Sequence, residues 1–319
     1  MCRKIDQQPH YNTLLKEGFI SGVKKGWSGF IWMLKIVIPV SFLTATLAWS
    51  GFLNKIEFFI EPAMALLNLP ALAALPLIVG MLSNIYGAIA AMAVLPFTKE
   101  QMTLIAIFLL CAHNLIQEGI IQAKSGMHPV KATLFRLIAA VITVTMVAQF
   151  LDSGALASVA AEAPIPISQP FISMLKGWGV ATFYLCIKIF VIIMGILTLL
   201  EVMKTLGWIH HIVRFLTPLL KLLGLKQNVG ILWVTATVFG LAYGGAVIVE
   251  EAKEGHLTKD ELEELHLSIG INHSMVEDPP LFLSLGLSAF WLWVPRLIVA
   301  MIAVRLLSAW YMVRKRWRL

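Results

Sequence analysis

The chain of 319 residues is 59% apolar and 13% charged, against roughly 25% charged in ordinary soluble domains, which excludes a wholly water-facing surface and implies a lipid-facing one. Its formal net charge of +7 gathers at the ends of apolar segments, where lysine and arginine meet lipid head groups, so it argues for membrane topology and against a nucleic-acid partner. Cys2, Cys111 and Cys186 are odd in number and widely scattered, which excludes a disulfide framework or a zinc knuckle.

Taken in chain order, Arg3 and Lys4 lead into a polar stretch rather than an apolar one, so the first spanning helix is expected to serve as the targeting signal. Residues 11–27 set Leu14, Leu15, Phe19, Ile20 and Val23 among Lys16, Glu17, Lys24 and Lys25, the pattern of a helix lying in the interface. Residues 29–48 are long and apolar enough to span, and 54–69 form a second amphipathic stretch. Apolar segments follow at 71–96, 102–121 and 133–151. Residues 152–169, rich in Ala, Ser and Pro and without Lys or Arg, read as a linker. Beyond it come apolar runs at 181–200, 229–249, 267–287 and 290–304, then a basic tail of Arg314, Lys315, Arg316 and Arg318.

The two halves repeat. A shift of 160 positions, without gaps, pairs Thr98-Lys99-Glu100 with Thr258-Lys259-Asp260, His113 with His273, Gln117-Glu118 with Glu277-Asp278 and Arg136 with Arg296. Upstream, with a slightly different offset, Pro62 pairs with Pro218 and Tyr86-Gly87 with Tyr243-Gly244. Shared leucines would mean little in lipid, but His, Arg and acid in one register indicate a duplication. The domains expected are a first repeat over 1–151, a linker over 152–169 and a second repeat over 170–319.

Basic residues place the N-terminus, the stretch from Lys204 to Lys226 and the C-terminal tail inside, and the linker outside. The acidic stretch from Glu250 to Glu264 is expected outside. An odd number of crossings per half then requires one segment that enters and returns. Residues 98–127 and 258–287 are the predicted re-entrant hairpins, because polar residues stand at their middles, and such backbone is tolerated only where it is buried in protein or lines a watery cavity. The fold class is therefore all-α integral membrane, with inverted repeats of about three spanning helices, one re-entrant hairpin and interfacial amphipathic helices each.

Ionisable groups deep in a membrane mark pathways or sites. The candidate binding residues are His113, Asn114, Gln117 and Glu118 in the first half and Asn272, His273, Ser274, Glu277 and Asp278 in the second. Arg136 and Arg296 are their charge partners, or forks for a carboxylate or phosphate. Asn84, Tyr86 and Tyr243, beside glycines, are further candidates for solute contact. Two His with nearby acids also leave a divalent metal open, and intramembrane Lys35 and Lys188 occupy matching positions. No HExxH and no Gly-x-Ser-x-Gly stands in the chain, so an enzyme is not expected.

These motifs, from the amphipathic start through Asn84-x-Tyr86-Gly87 and Thr98-Lys99-Glu100 to the His113–Glu118 segment, resemble the gate, or nucleoside-recognition, domain, and the second half resembles another copy. The family is related to spore-maturation membrane proteins, to the membrane portions of ferrous-iron transporters and, distantly, to concentrative nucleoside transporters. The resemblance implies a permease-like fold. The function expected is a secondary transporter of a small polar solute, with an organic anion favoured, a nucleoside or divalent metal ion as alternatives within transport, and an intramembrane metal-dependent enzyme or a scaffold subunit outside it. No cofactor is expected, only a coupling proton or sodium ion. Partners are the solute, the bilayer of the plasma (inner) membrane and, at the apolar surface, a second copy of the chain.

Overall fold

A computed structural model describes residues 7–152, 170–226, 229–255 and 257–316; all are helix, short turn or connection. The first half runs α1 (Gln7–Trp49), α2 (Phe52–Ala65), a 3-10 turn at Ala71–Ala73, α3 (Ala74–Leu82), α4 (Ile85–Met92), α5 (Lys99–Ala112), α6 (Leu115–Lys124) and α7 (Pro129–Ala148). The second repeats that order as α8 (Phe171–Thr205), α9 (Ile209–Leu223), α10 (Gly230–Phe239), α11 (Leu241–Lys253), α12 (Lys259–Asn272), α13 (Asp278–Leu283) and α14 (Ala289–Arg316). The linker 153–169 lies outside the described residues.

The expected interfacial helix over 11–27 is instead continuous with the first span. At about 1.5 Å per residue, the 43 residues of α1 reach about 64 Å, twice the hydrocarbon thickness. What carries the helix through Gly18, Gly22, Gly26 and Gly29 is α8, packed antiparallel along it. A Cβ on Gly22 would lie 2.6 Å from the Thr198 Cα, so only glycine lets the two backbones approach this closely. The pairing continues to the far end, where the Trp49 and Phe171 rings meet edge to face at 5.2 Å.

Each half has one re-entrant hairpin, but it is not the segment predicted. Helices α3 and α4 fold back on each other: a Cβ on Gly80 would lie 3.0 Å from the Ala88 Cβ, and one on Gly87 would lie 2.7 Å from Val79 Cγ1. Helices α10 and α11 do the same around Gly240, with a Cβ on Gly244 falling 2.3 Å from the Ala236 Cα. Small residues at the crossing are what allow so tight a turn-back. By contrast α5 and α6 barely touch each other, and α7 runs alongside both in succession. Residues 99–124 are thus a spanning helix broken in the middle, and 259–283 are its counterpart. Among the described residues, five helical stretches are long and apolar enough to cross a membrane, α1, α5–α6, α7, α8 and α14; counting 259–283 with its counterpart gives three crossings per half, an odd number, as inverted halves require.

Moving the hairpin moves the acidic stretch. With α10 and α11 returning to their starting side, Glu250–Glu264 share a side with the N-terminus and the basic tail, against the expectation. Contacts agree: Lys25 pairs with Glu201 at 2.6 Å, Arg305 donates to the Leu222 carbonyl at 3.0 Å, and Lys226 pairs with Glu261 at 3.0 Å. Glu263 accepts from Tyr311 and Lys131, and Glu264 from Ser308.

Candidate functional site

Both broken helices begin alike. Thr98 and Gln101 form a capping box at the start of α5, and Thr258 and Glu261 form another at α12, each satisfying two otherwise orphaned backbone N–H groups. Both also break alike. His113 (φ −86°, ψ 164°) and His273 (φ −64°, ψ 159°) are extended, and the next residues, Asn114 and Ser274, take left-handed backbone at φ 49° and φ 50°.

A break strands the last carbonyls of the preceding helix, a cost of several kcal/mol each in lipid. Arginine meets it in both halves. Arg136 donates from Nε to the Cys111 carbonyl at 2.9 Å and from Nη2 to that of His113 at 2.7 Å. Arg296 donates from Nε and Nη2 to the Ile271 carbonyl at 3.0 and 2.7 Å, and from Nη2 to Leu110 of the other half at 2.8 Å. Hairpin tips cover the other side of each break: the Asn114 N–H donates to the Gly80 carbonyl at 2.8 Å and the Met275 N–H to that of Thr237 at 2.8 Å.

Charge follows the helix ends. Glu118 and Asp278 stand in the first turns of α6 and α13, where the helix dipole favours an anion, and the arginines hold the carbonyl ends of α5 and α12. The inverted halves bring these groups together. Glu118, 5% exposed, lies with Oε1 3.2 Å from His113 Nε2, and with Oε2 3.2 Å from His273 Nε2 and 2.8 Å from Arg136 Nη1. Asp278 Oδ2 is 3.4 Å from His113 Nε2. The two imidazoles face each other with centroids 4.9 Å apart.

Of the predicted site residues, His113, Glu118, His273 and Asp278 thus form one cluster. Ser274 Oγ and Glu277 Oε2 flank the Gly240 tip, lying 3.4 and 3.1 Å from where its Cβ would be. Asn272 is fully buried at the end of α12, with neither amide atom partnered among the described residues. Asn84 caps α4 by accepting from the Gly87 N–H at 3.0 Å, and Asn114 donates to an exposed Gln117 at 3.1 Å. Tyr86 packs edge to face on Trp32 at 5.8 Å. The side chain of Tyr243 lies outside the described residues.

The two arginines differ in what they meet. Arg136 is a charge partner of Glu118, but Arg296 makes no ion pair among the described residues and donates only to carbonyls. All three guanidinium nitrogens of Arg136 are engaged, whereas Arg296 Nη1 is buried without a hydrogen-bond partner among the described residues. Lys188 likewise donates to a carbonyl, that of Ser284, at 3.3 Å, while Lys35 is exposed.

A second polar group was missed in the sequence. His266 Nε2 lies 3.2 Å from the Ser125 carbonyl and Gln122 donates to the His266 carbonyl at 3.5 Å, which ties α6 to α12. A histidine and a glutamine inside apolar segments were the available signal; neither recurs 160 positions away, so the search for repeated residues passed over them.

Fold and site together define a multi-pass α-helical membrane protein of duplicated, transporter-like build. Residues 30–152 match the family model Gate, described as nucleoside recognition. Over 314 residues it is 26% identical to the uncharacterized membrane protein YvoD of Bacillus subtilis (strain 168), covering 95% of this chain and 97% of that one. No solved structure matches the chain.

Proposed function

We propose that the protein is a permease that passes a small polar solute through the crossing of its two broken helices, with both termini on the cytoplasmic side of the plasma membrane. One observation carries this reading: Glu118 is buried in the first turn after the break in a spanning helix, where both histidines and both hairpin tips converge. A charged cluster at that depth is costly and does nothing for packing that leucine would not do better. Breaks and hairpins concentrate unsatisfied backbone at the same depth, which supports a passage lined from both sides and gated by the hairpins. Sidedness is supported by Lys24, Lys25, Lys204, Lys221, Arg314 and Lys315 on one face.

The nucleoside-recognition description of the matching family puts nucleosides into the test, and the unpartnered Arg296 Nη1 keeps an anion in it. Purified protein in proteoliposomes, offered uridine, adenosine, malate, Zn²⁺ and Mn²⁺ separately, is expected to move at least one above protein-free vesicles, and Glu118→Gln to abolish that flux. Flux of none, or undiminished flux in Glu118→Gln, contradicts the proposal.

A further inference from the structure

The tautomers of the two histidines constrain what sits between them. His113 Nδ1 lies 2.8 Å from the Leu109 carbonyl and His273 Nδ1 lies 3.1 Å from that of Ile269. A carbonyl only accepts, so each Nδ1 carries a proton, and in the neutral form of either ring the lone pair of Nε2 faces the acids. This backbone anchor on the far nitrogen is the one that orients a ligating imidazole. His273 Nε2 is fully buried without a hydrogen-bond partner among the described residues.

Lone pairs facing carboxylate oxygens repel unless a cation stands between them. A proton would draw one N–H···O contact to about 2.7–2.9 Å. The three contacts here, at 3.2, 3.2 and 3.4 Å, stand at or beyond the long end of the N–H···O range. Four ligands at about 2.0–2.1 Å around a tetrahedral metal stand about 3.3–3.4 Å from one another, close to the separations of His113 Nε2 from Glu118 Oε1 and Asp278 Oδ2, while His273 Nε2 meets the other Glu118 oxygen. One ligand atom from each of His113, Glu118 and His273 falls within 4.8 Å of the others, and Asp278 adjoins them. Arg136 holds Glu118 in place from outside the group.

We propose that His113 Nε2, His273 Nε2, Glu118 and Asp278 form a binding site for one divalent first-row transition metal ion. Two imidazoles and two carboxylates suit Zn²⁺, Fe²⁺, Co²⁺ or Mn²⁺ better than Mg²⁺ or Ca²⁺, which take oxygen alone, or Cu⁺, which prefers sulfur. The inference rests on the reading of the crossing as the solute site and names what that site binds.

Full-length protein in detergent, stripped with chelator and dialysed against Zn²⁺, is expected to retain one ion per chain even in millimolar Mg²⁺. His113→Ala and His273→Ala should each weaken binding at least about tenfold, with Lys131→Ala unchanged. X-ray absorption of the wild-type Zn²⁺ complex, which needs no variant to fold, should show two imidazoles at about 2.0–2.1 Å with oxygen. A sulfur-containing or all-oxygen shell, no retained ion, or wild-type affinity in both histidine variants overturns the site. Flux separates the two claims. If another solute moves but no metal binds, the site falls and the permease stands. If the metal binds and nothing moves, the site stands and the permease falls.

Discussion

At the first break Arg136 divides its guanidinium between two carbonyls and the Glu118 carboxylate, whereas at the second Arg296 donates to Ile271, His273 and, across the pseudo-symmetry axis, Leu110. The acids differ in the same sense. Glu118 touches both histidines, while the second half divides its charge between Asp278, which touches one, and Glu277, which lies beside the Gly240 tip. Duplication thus preserved the scaffold, carbonyl for carbonyl, and let the chemistry diverge. The first break carries the central charge, and the second braces it.

That contrast can be broken experimentally. Arg136→Met strands carbonyls and leaves Glu118 buried without its partner, so a loss of about 3–5 kcal/mol is expected in reversible unfolding, or no folded protein. Adding Glu118→Gln should restore much of it. Arg296→Met strands carbonyls only, at about 1–3 kcal/mol for each group left unmet, and neutralising Asp278 or Glu277 should restore nothing. Equal rescue in both halves would mean the two arginines have the same task. Gly22→Val, away from both breaks, pushes α1 off α8 and should cost about 1–3 kcal/mol by overpacking while sparing the site. Lys131→Ala, at a half-buried surface pair with Glu263, should cost about 1 kcal/mol or less.

The duplication, the all-helical build and the His, acid and Arg positions were legible because such residues are rare in lipid and recur at one spacing. The capping-box pattern stands at Thr98–Gln101 and Thr258–Glu261, where the sequence yielded only the Thr-Lys-acid triplets as a mark of the repeat. Which segment turns back was not. Residues 71–96 are long and apolar enough to read as a span, and polar residues at 113–114 look the same whether a helix reverses or only breaks. The discriminating signal was small residues on both arms of a polar or glycine tip: Gly80 and Ala88 around Ser83-Asn84, Ala236 and Gly244 around Gly240. The work of the arginines was hidden for another reason. Their partners are backbone carbonyls, which have no identity in a sequence. Continuity of α1 through four glycines was equally invisible, because its warrant lies in α8, some 170 positions away.

Sidedness separates this architecture from its nearest rival most directly. Single cysteines at Lys16, Glu100 and Glu254, labelled in sealed vesicles with an impermeant maleimide, report which segment reverses. With hairpins at α3–α4 and α10–α11, Glu254→Cys should label from the same side as Lys16→Cys, and Glu100→Cys from the opposite side. Glu100 labelling with Lys16, and Glu254 from the far side, would return the hairpins to residues 98–127 and 258–287 and contradict the account.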